Sequence, residues 1–319
     1  MVSTKTESEI SLMSYAGKVC YELLELMETK VKAGITTKEL DQIAEKFIRE
    51  KGCTPSFLNY EGYPASICTS INEEVVHGIP SNRKLKNGDI ISIDVGACYK
   101  GYHGDTARTY KVGNISNEVS ELMKYTEEAL YKGLSVIKPG IKLNEICKAV
   151  ESVAKEHGYG VIRELTGHGI GTDMHEDPYI PNYSNNESEL ILKEGMTLAI
   201  EPMFSLKGRK VWLLDDDWTI ITQDKSPAAH YEHTIVVTKD GYKILTGEWF
   251  YGKRWIHWNW RKSTRNNPRR GLQSKIRKRS YCRSSRFWKN ASKPNPYLSR
   301  WYSITRNSNL WFNTWAYNI

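Results

Sequence analysis

Apolar side chains recur at helical spacing near the start of the chain. Leu12, Tyr15, Val19, Leu23, Leu26 and Met27 fall on one face and predict an amphipathic helix. A second helix is predicted after "AGITT", with Leu40, Ile43, Phe47 and Ile48 as its stripe, Thr36 or Thr37 as N-cap and Gly52 as its stop. Strand-like runs follow at 65–71 and 90–95. Near residue 247 the run "HTIVVT", "KDG", "YKILTG" predicts a closing hairpin turned by Asp240-Gly241.

The pattern occurs twice. "KAGITTKELDQIAEKFIREKG" (32–52) overlies "KPGIKLNEICKAVESVAKEHG" (138–158) at an offset of 106, and the apolar positions of the two helices coincide. "LKNGDIISID" (85–94) overlies "LKEGMTLAIE" (192–201) at an offset of 107, so Asp94 falls on Glu201. Such an offset is too long for a solenoid repeat. It predicts two α+β halves related by a pseudo-twofold axis, sharing a sheet with helices packed on one face. Each half delivers a carboxylate at the end of the same apolar strand, where an unpaired charge is costly.

Composition changes the picture in one place. The net charge of +8 comes from residues 251–319, which hold 17 Lys and Arg and no acid, leaving 28 basic residues against 37 acidic ones before them. The six cysteines are scattered, with no CxxC pair, which fits a reduced protein better than a disulfide framework. No apolar stretch is long enough to span a membrane and the N-terminus has no export signal, so the expected compartment is the cytoplasm.

The chemistry lies in paired acids. Asp94 and Asp105 flank a reversal at Lys100-Gly101, which places them on neighbouring strands. Glu201 and Glu232 form the matching pair in the second half, and "TGHGIGTDMHEDP" sets His168 among glycines with His175 following. Four converging carboxylates and one imidazole require cations, and the donor set suits Co, Mn, Fe or Zn without choosing among them. Two such ions activate water and polarise a carbonyl, which points to amide hydrolysis.

The ordered set "HGIP" (77–80), "IDVGA" (93–97), "HGDTART" (103–109), "GHGIG" (167–171), "HEDP" (175–178), "IEPM" (200–203) and "YEHT" (231–234) resembles the type I methionine aminopeptidases. The resemblance spans about residues 5–247. It implies a pita-bread fold, with a curved antiparallel sheet and helices on the outer face. It also implies a metallo-aminopeptidase that removes initiator methionine from nascent polypeptides, using two divalent metal ions. Carried over by motif, Asp94 holds one ion, His168 and Glu201 the other, and Asp105 and Glu232 bridge them. Glu201 is implied as proton shuttle, His77 as a neighbour of the substrate amine, and His175 as the group that polarises the scissile carbonyl. Tyr60, Tyr63, Cys68 and Trp218 are implied as the methionine pocket. His103, His230 and His233 lie beside motif acids and receive no role.

The alternatives are a proline-specific aminopeptidase of the same fold and a non-catalytic relative that binds RNA or protein. The first usually carries an extra N-terminal domain, and the second predicts lost ligands. The expected division is a catalytic domain at 1–247 and a basic tail at 248–319 containing eight of the ten tryptophans. That tail reads as a disordered or out-of-frame extension, or as a contact to ribosomal RNA. A monomer is expected, since the fold needs no partner to complete its site.

Overall fold

The computed structural model describes residues 2–185 and 189–247. The reading of the tail, and the boundary drawn before it, lie outside the described residues. Among the described residues no helix is long and apolar enough to cross a membrane.

The first half contains α1 (Glu7–Glu28) and α2 (Thr37–Glu50), then β1 (Thr54–Pro55), β2 (Cys68–Ile71), β3 (Glu74–Val76), β4 (Ile90–Tyr99) and β5 (Tyr102–Lys111). The second opens with α3 (Asn117–Ser135) and α4 (Asn144–His157), followed by β6 (Gly160–Val161), β7 (Thr166–Gly169), β8 (Glu176–Pro181) and β9 (Thr197–Ile200). It closes with β10 (Met203–Ser205), β11 (Val211–Leu213), β12 (Ile220–Thr222), β13 (Ala228–His230), β14 (His233–Thr238) and β15 (Gly241–Ile244).

Both expected N-terminal helices form, and local chemistry sets their starts. Thr6 caps α1 through a capping box with Glu9, and Thr36, rather than Thr37, caps α2 through the same device with Glu39. The duplicated helices α2 and α4 are each 14 residues long. Gly158 ends α4 in the left-handed conformation.

Alternation along β4 sorts its two faces. Ile91, Ile93 and Val95 pack with Val19, Leu23 and Met27 of α1 and Leu40 and Ile48 of α2. In the second half, Leu130 and Leu134 of α3 and Ile146 and Val150 of α4 pack with Leu198, Ile200 and Ile235. Burying each such side chain contributes about 1.5–3 kcal/mol. With the helices fixed on that side, the strands' remaining positions, Asp94 among them, turn to the opposite face.

The order β2-β4-β5 in the first half is repeated by β7-β9-β14 in the second, and all these pairs are antiparallel. The two ladders meet where β5 adjoins β14. There the Thr234 hydroxyl donates to the Asp105 carbonyl at 2.7 Å, and the Glu232 N–H donates to the Ala107 carbonyl at 2.9 Å. Mixed helices and antiparallel sheet in two matching halves are the expected pita-bread architecture.

Two local details sharpen the sequence reading. Tyr99 pairs with Tyr102, so Lys100 (φ 51°) and Gly101 (φ 84°) form the expected reversal as a two-residue turn with left-handed backbone, a conformation natural for Gly101 and disfavoured for Lys100. In the closing hairpin Thr238 pairs with Gly241, so the turn residues are Lys239 and Asp240 and Gly241 opens the next strand.

Candidate active site

The four acids reach one point because of strand register. Asp94 lies opposite Ala107 and Asp105 opposite Gly96, so the two aspartates sit diagonally on one face of the β4-β5 pair. Glu201 follows β9 directly and Glu232 immediately precedes β14; the pairing of Ile200 with His233 brings these open ends together. His168 on β7 is paired with Ala199. Gly169 beside it has no room for a side chain, because a Cβ there would collide with the Asp177 carbonyl. The Thr106 hydroxyl donates to the Glu232 carbonyl at 2.6 Å and locks the central seam.

Burial makes this cluster electrostatically demanding. Asp105, His168 and Glu232 are 4%, 3% and 2% exposed, and one donor atom from each lies within 4.8 Å of the others. His168 Nδ1 is 2.8 Å from the Gly169 carbonyl and must donate to it, so Nε2 presents a lone pair. That lone pair faces Glu201 Oε1 at 3.6 Å and Asp105 Oδ2 at 3.8 Å. Lone pairs facing carboxylates repel unless a cation or a proton lies between them. Asp94 Oδ1, Asp105 Oδ1 and Glu232 Oε1 are buried without a hydrogen-bond partner. The donor set therefore fits divalent metal.

The acidities carry the same message. Burial pushes Asp94 up to about 6, with His230 working against the shift and Glu201 adding to it. Burial also lifts Glu201 to about 7, opposed by His168. For Asp105 and Glu232, burial and then the neighbouring carboxylates raise the pKa well above the ordinary range. Each of these groups is held at a free-energy cost that bound positive charge offsets.

A cavity over this floor is lined by every residue singled out in the sequence: Asp94, Asp105, His168, Glu201 and Glu232 below, with His77, His175, Tyr60, Tyr63, Cys68 and Trp218 around them. His77 adopts a left-handed backbone (φ 58°), a conformation costly for a residue with a Cβ and concentrated at functional positions. Burial, and then the nearby His230, lower its pKa to about 4, so it is neutral. His175 Nδ1 lies 3.0 Å from the Tyr60 hydroxyl, and its ring centroid is 4.2 Å from that of His168. Burial first, then neighbouring imidazoles, hold His175 neutral as well.

Tyr63 and Trp218 meet edge to face at 4.9 Å. The Tyr63 hydroxyl donates toward the Ile67 and Gly78 carbonyls at 3.2 and 3.1 Å, tying this wall to the segment that carries His77. Cys68 is opposite Asp94 in the β2-β4 register, and burial raises its thiol pKa well above normal, so it is a lining group and not a nucleophile.

One lining residue had been given no role. His230 is 1% exposed, its Nε2 lies 3.5 Å from Glu201 Oε2, and that nitrogen has no hydrogen-bond partner. Glu201 thus stands between two imidazoles, one on each oxygen. The available signal was the spacing: His230 precedes Glu232 by two residues, the period that returns an extended chain to the same face.

Comparison with known proteins agrees with this geometry. The model of metallopeptidase family M24 matches residues 11–239. Methionine aminopeptidase 1 of Bacillus subtilis (strain 168) is 50% identical over 246 residues, covering 77% of this chain and 99% of that protein. The crystal structure of methionine aminopeptidase from Rickettsia prowazekii superposes with a TM-score of 0.76 at 44% identity, over 77% of this chain and 100% of that one. A prolidase from Pyrococcus furiosus is more distant, with a TM-score of 0.63 and 27% identity over 77% of this chain and 66% of its own. With its fold, its acid-rich cavity and these relatives in agreement, the chain belongs to metallopeptidase family M24 and, within it, to the methionine aminopeptidases.

Proposed function

We propose that this chain hydrolyses the first peptide bond of polypeptides that begin with methionine, releasing the initiator residue from nascent chains. The observation that carries this reading is the joining of a buried acid-and-imidazole floor to an aromatic, sulfur-containing wall within one cavity. Two divalent cations are proposed, one held by Asp94 and one by His168 and Glu201, with Asp105 and Glu232 shared between them. Bound there, such ions supply the charge that makes a water nucleophilic near neutral pH and polarises a carbonyl.

The remaining steps belong to the side chains. Glu201 is proposed to take a proton from the attacking water and return it to the leaving amine, serving as general base and then as general acid. His175, neutral and oriented by the Tyr60 hydroxyl, stabilises charge developing on the scissile carbonyl oxygen. His77, also neutral, is proposed to lie near the free α-amine of the substrate, a role supported by its constrained left-handed backbone at the cavity wall.

Specificity follows from the wall. Tyr60, Tyr63, Trp218 and Cys68 offer rings and sulfur to a flexible thioether, with about 0.3–1.5 kcal/mol for each sulfur-aromatic contact. Residues 1–247 are proposed to carry the whole activity. The test is cleavage by metal-loaded enzyme of Met-Ala peptides against Ala-Pro peptides. Release of methionine with no proline-dependent cleavage is expected, and the reverse preference would overturn the reading.

A further inference from the structure

The N-terminal arm is tied to the loop that carries His175. The Lys5 N–H donates to the Gly195 carbonyl at 2.8 Å, which lays the arm beside the turn before β9. From there Lys5 Nζ reaches Glu176 Oε2 at 2.6 Å, with the two side chains only 6% and 15% exposed. The Ser3 hydroxyl donates to the same oxygen at 2.8 Å. Glu176 Oε1 accepts the Asp173 N–H at 3.3 Å and closes the 171–176 turn from within. One carboxylate thus joins the arm to the turn, across 171 residues of sequence.

The surrounding backbone is shaped for this pair. A Cβ on Gly171 would meet Lys5 Cε and Nζ and Glu176 Oε1, so a side chain there would displace the pair from this position. The Gly171 carbonyl accepts the His103 N–H at 2.9 Å, which holds the other side of the turn to β5. Burial works against ionisation of Glu176, but the hydrogen bonds from Lys5 and Ser3 outweigh it and keep the carboxyl below its usual range. The contact is therefore a charged, largely desolvated pair, unlike the exposed ion pairs elsewhere on this surface, which contribute little.

His175 immediately precedes Glu176 in the chain. We propose that Lys5 and Glu176 are positioning residues for His175: their ion pair clamps the 171–176 turn from outside and holds the imidazole between the Tyr60 hydroxyl and His168. This rests on the role given to His175 above. Neither residue touches the reacting atoms, and both act through the placement of the ring. A small displacement of a group that stabilises a transition state lowers kcat far more than it weakens substrate binding.

The experiment is a double-mutant cycle on the full-length, metal-loaded enzyme with a Met-Ala peptide. Lys5→Met is expected to lower kcat about tenfold with KM changed less than about twofold, and Lys5→Arg to restore most of the loss. In a His175→Ala background, Lys5→Met is expected to change kcat by less than about twofold, because the ring it positions is absent. An equal loss in both backgrounds overturns the proposal while leaving the role of His175 intact. Wild-type turnover by His175→Ala overturns that role itself. Glu176→Gln, which keeps an acceptor for the Asp173 N–H, carries the same cycle should Lys5→Met fail to fold.

Discussion

His168 donates its Nδ1 proton to the Gly169 carbonyl, 2.8 Å away, and thereby turns an unprotonated Nε2 toward Glu201 Oε1 at 3.6 Å. A lone pair facing a buried carboxylate is a site built for a cation. Exhaustive chelation is expected to abolish peptide cleavage and to lower the melting temperature, and added Mn, Co, Fe or Zn to restore both. A ligand present at 100 times its Kd stabilises the fold by about 2.7 kcal/mol, enough to read in a thermal melt. Unchanged cleavage after verified metal removal would count against the mechanism.

Glu201→Gln keeps the shape of the side chain but cannot exchange a proton. Its kcat is expected to fall by at least about 10²-fold. The fold should be retained, since a buried acid raised to about 7 is costly in the metal-free protein and its removal costs nothing there. Steady-state kinetics paired with a thermal melt checks both halves, and undiminished turnover removes Glu201 from the reaction.

The raised acids also set a pH dependence of stability. Folding lifts Asp94 from 3.8 to about 6 and Glu201 from 4.5 to about 7, so the folded state holds protons that the unfolded chain releases. Stability from these groups is present below the unfolded values and is lost as pH rises through the folded ones. Buried imidazoles, His77 lowered from 6.5 to about 4 and His233 to about 3, act in the opposite sense from those values up through pH 6.5. Above about pH 7.5, where the unfolded imidazoles have also lost their protons, the acids act alone, with Asp105 and Glu232 raised furthest, and the melting temperature of the metal-free protein is expected to fall. Bound metal, which requires ionised ligands, should flatten that slope; a flat metal-free profile would mean that the acids ionise normally.

Tyr63→Phe removes a hydroxyl that reaches the Ile67 and Gly78 carbonyls. The expected loss is about 1–3 kcal/mol of stability, because buried acceptors lose a donor. KM for methionyl peptides should rise as the wall loosens, with kcat little changed. Denaturant unfolding and initial-rate kinetics read the two effects separately.

A chain ending at residue 247 is expected to cleave Met-Ala peptides with the kcat/KM of the full chain. The aligned length of the relatives supports this, since Bacillus subtilis methionine aminopeptidase 1 is matched over 99% of its length by 77% of this chain. A large loss of activity on truncation would assign residues 248–319 a part in the enzyme.

Much of this architecture was legible because it is locally encoded. The Thr36–Glu39 capping box marks a helix start along the chain itself, and Gly101 marks the left-handed position of a hairpin turn, which Lys100 adopts against its own preference. The overlay of Asp94 on Glu201 revealed the duplicated strand, because alternation along a strand is visible in one dimension. Distances between separate elements are not encoded in that way. His230 carries only its two-residue spacing from Glu232 as a local mark, and it is the packing of β13 and β14 against the rest that places its Nε2 at 3.5 Å from Glu201. The Lys5–Glu176 pair, whose partners are 171 positions apart, is invisible along the chain. The sequence by itself determined the N-terminal helix, the duplicated helix and strand, the closing hairpin and the chemical nature of the candidate ligands. Tertiary structure decided which charges share a desolvated space, because that depends on register and packing between segments that are distant in the chain.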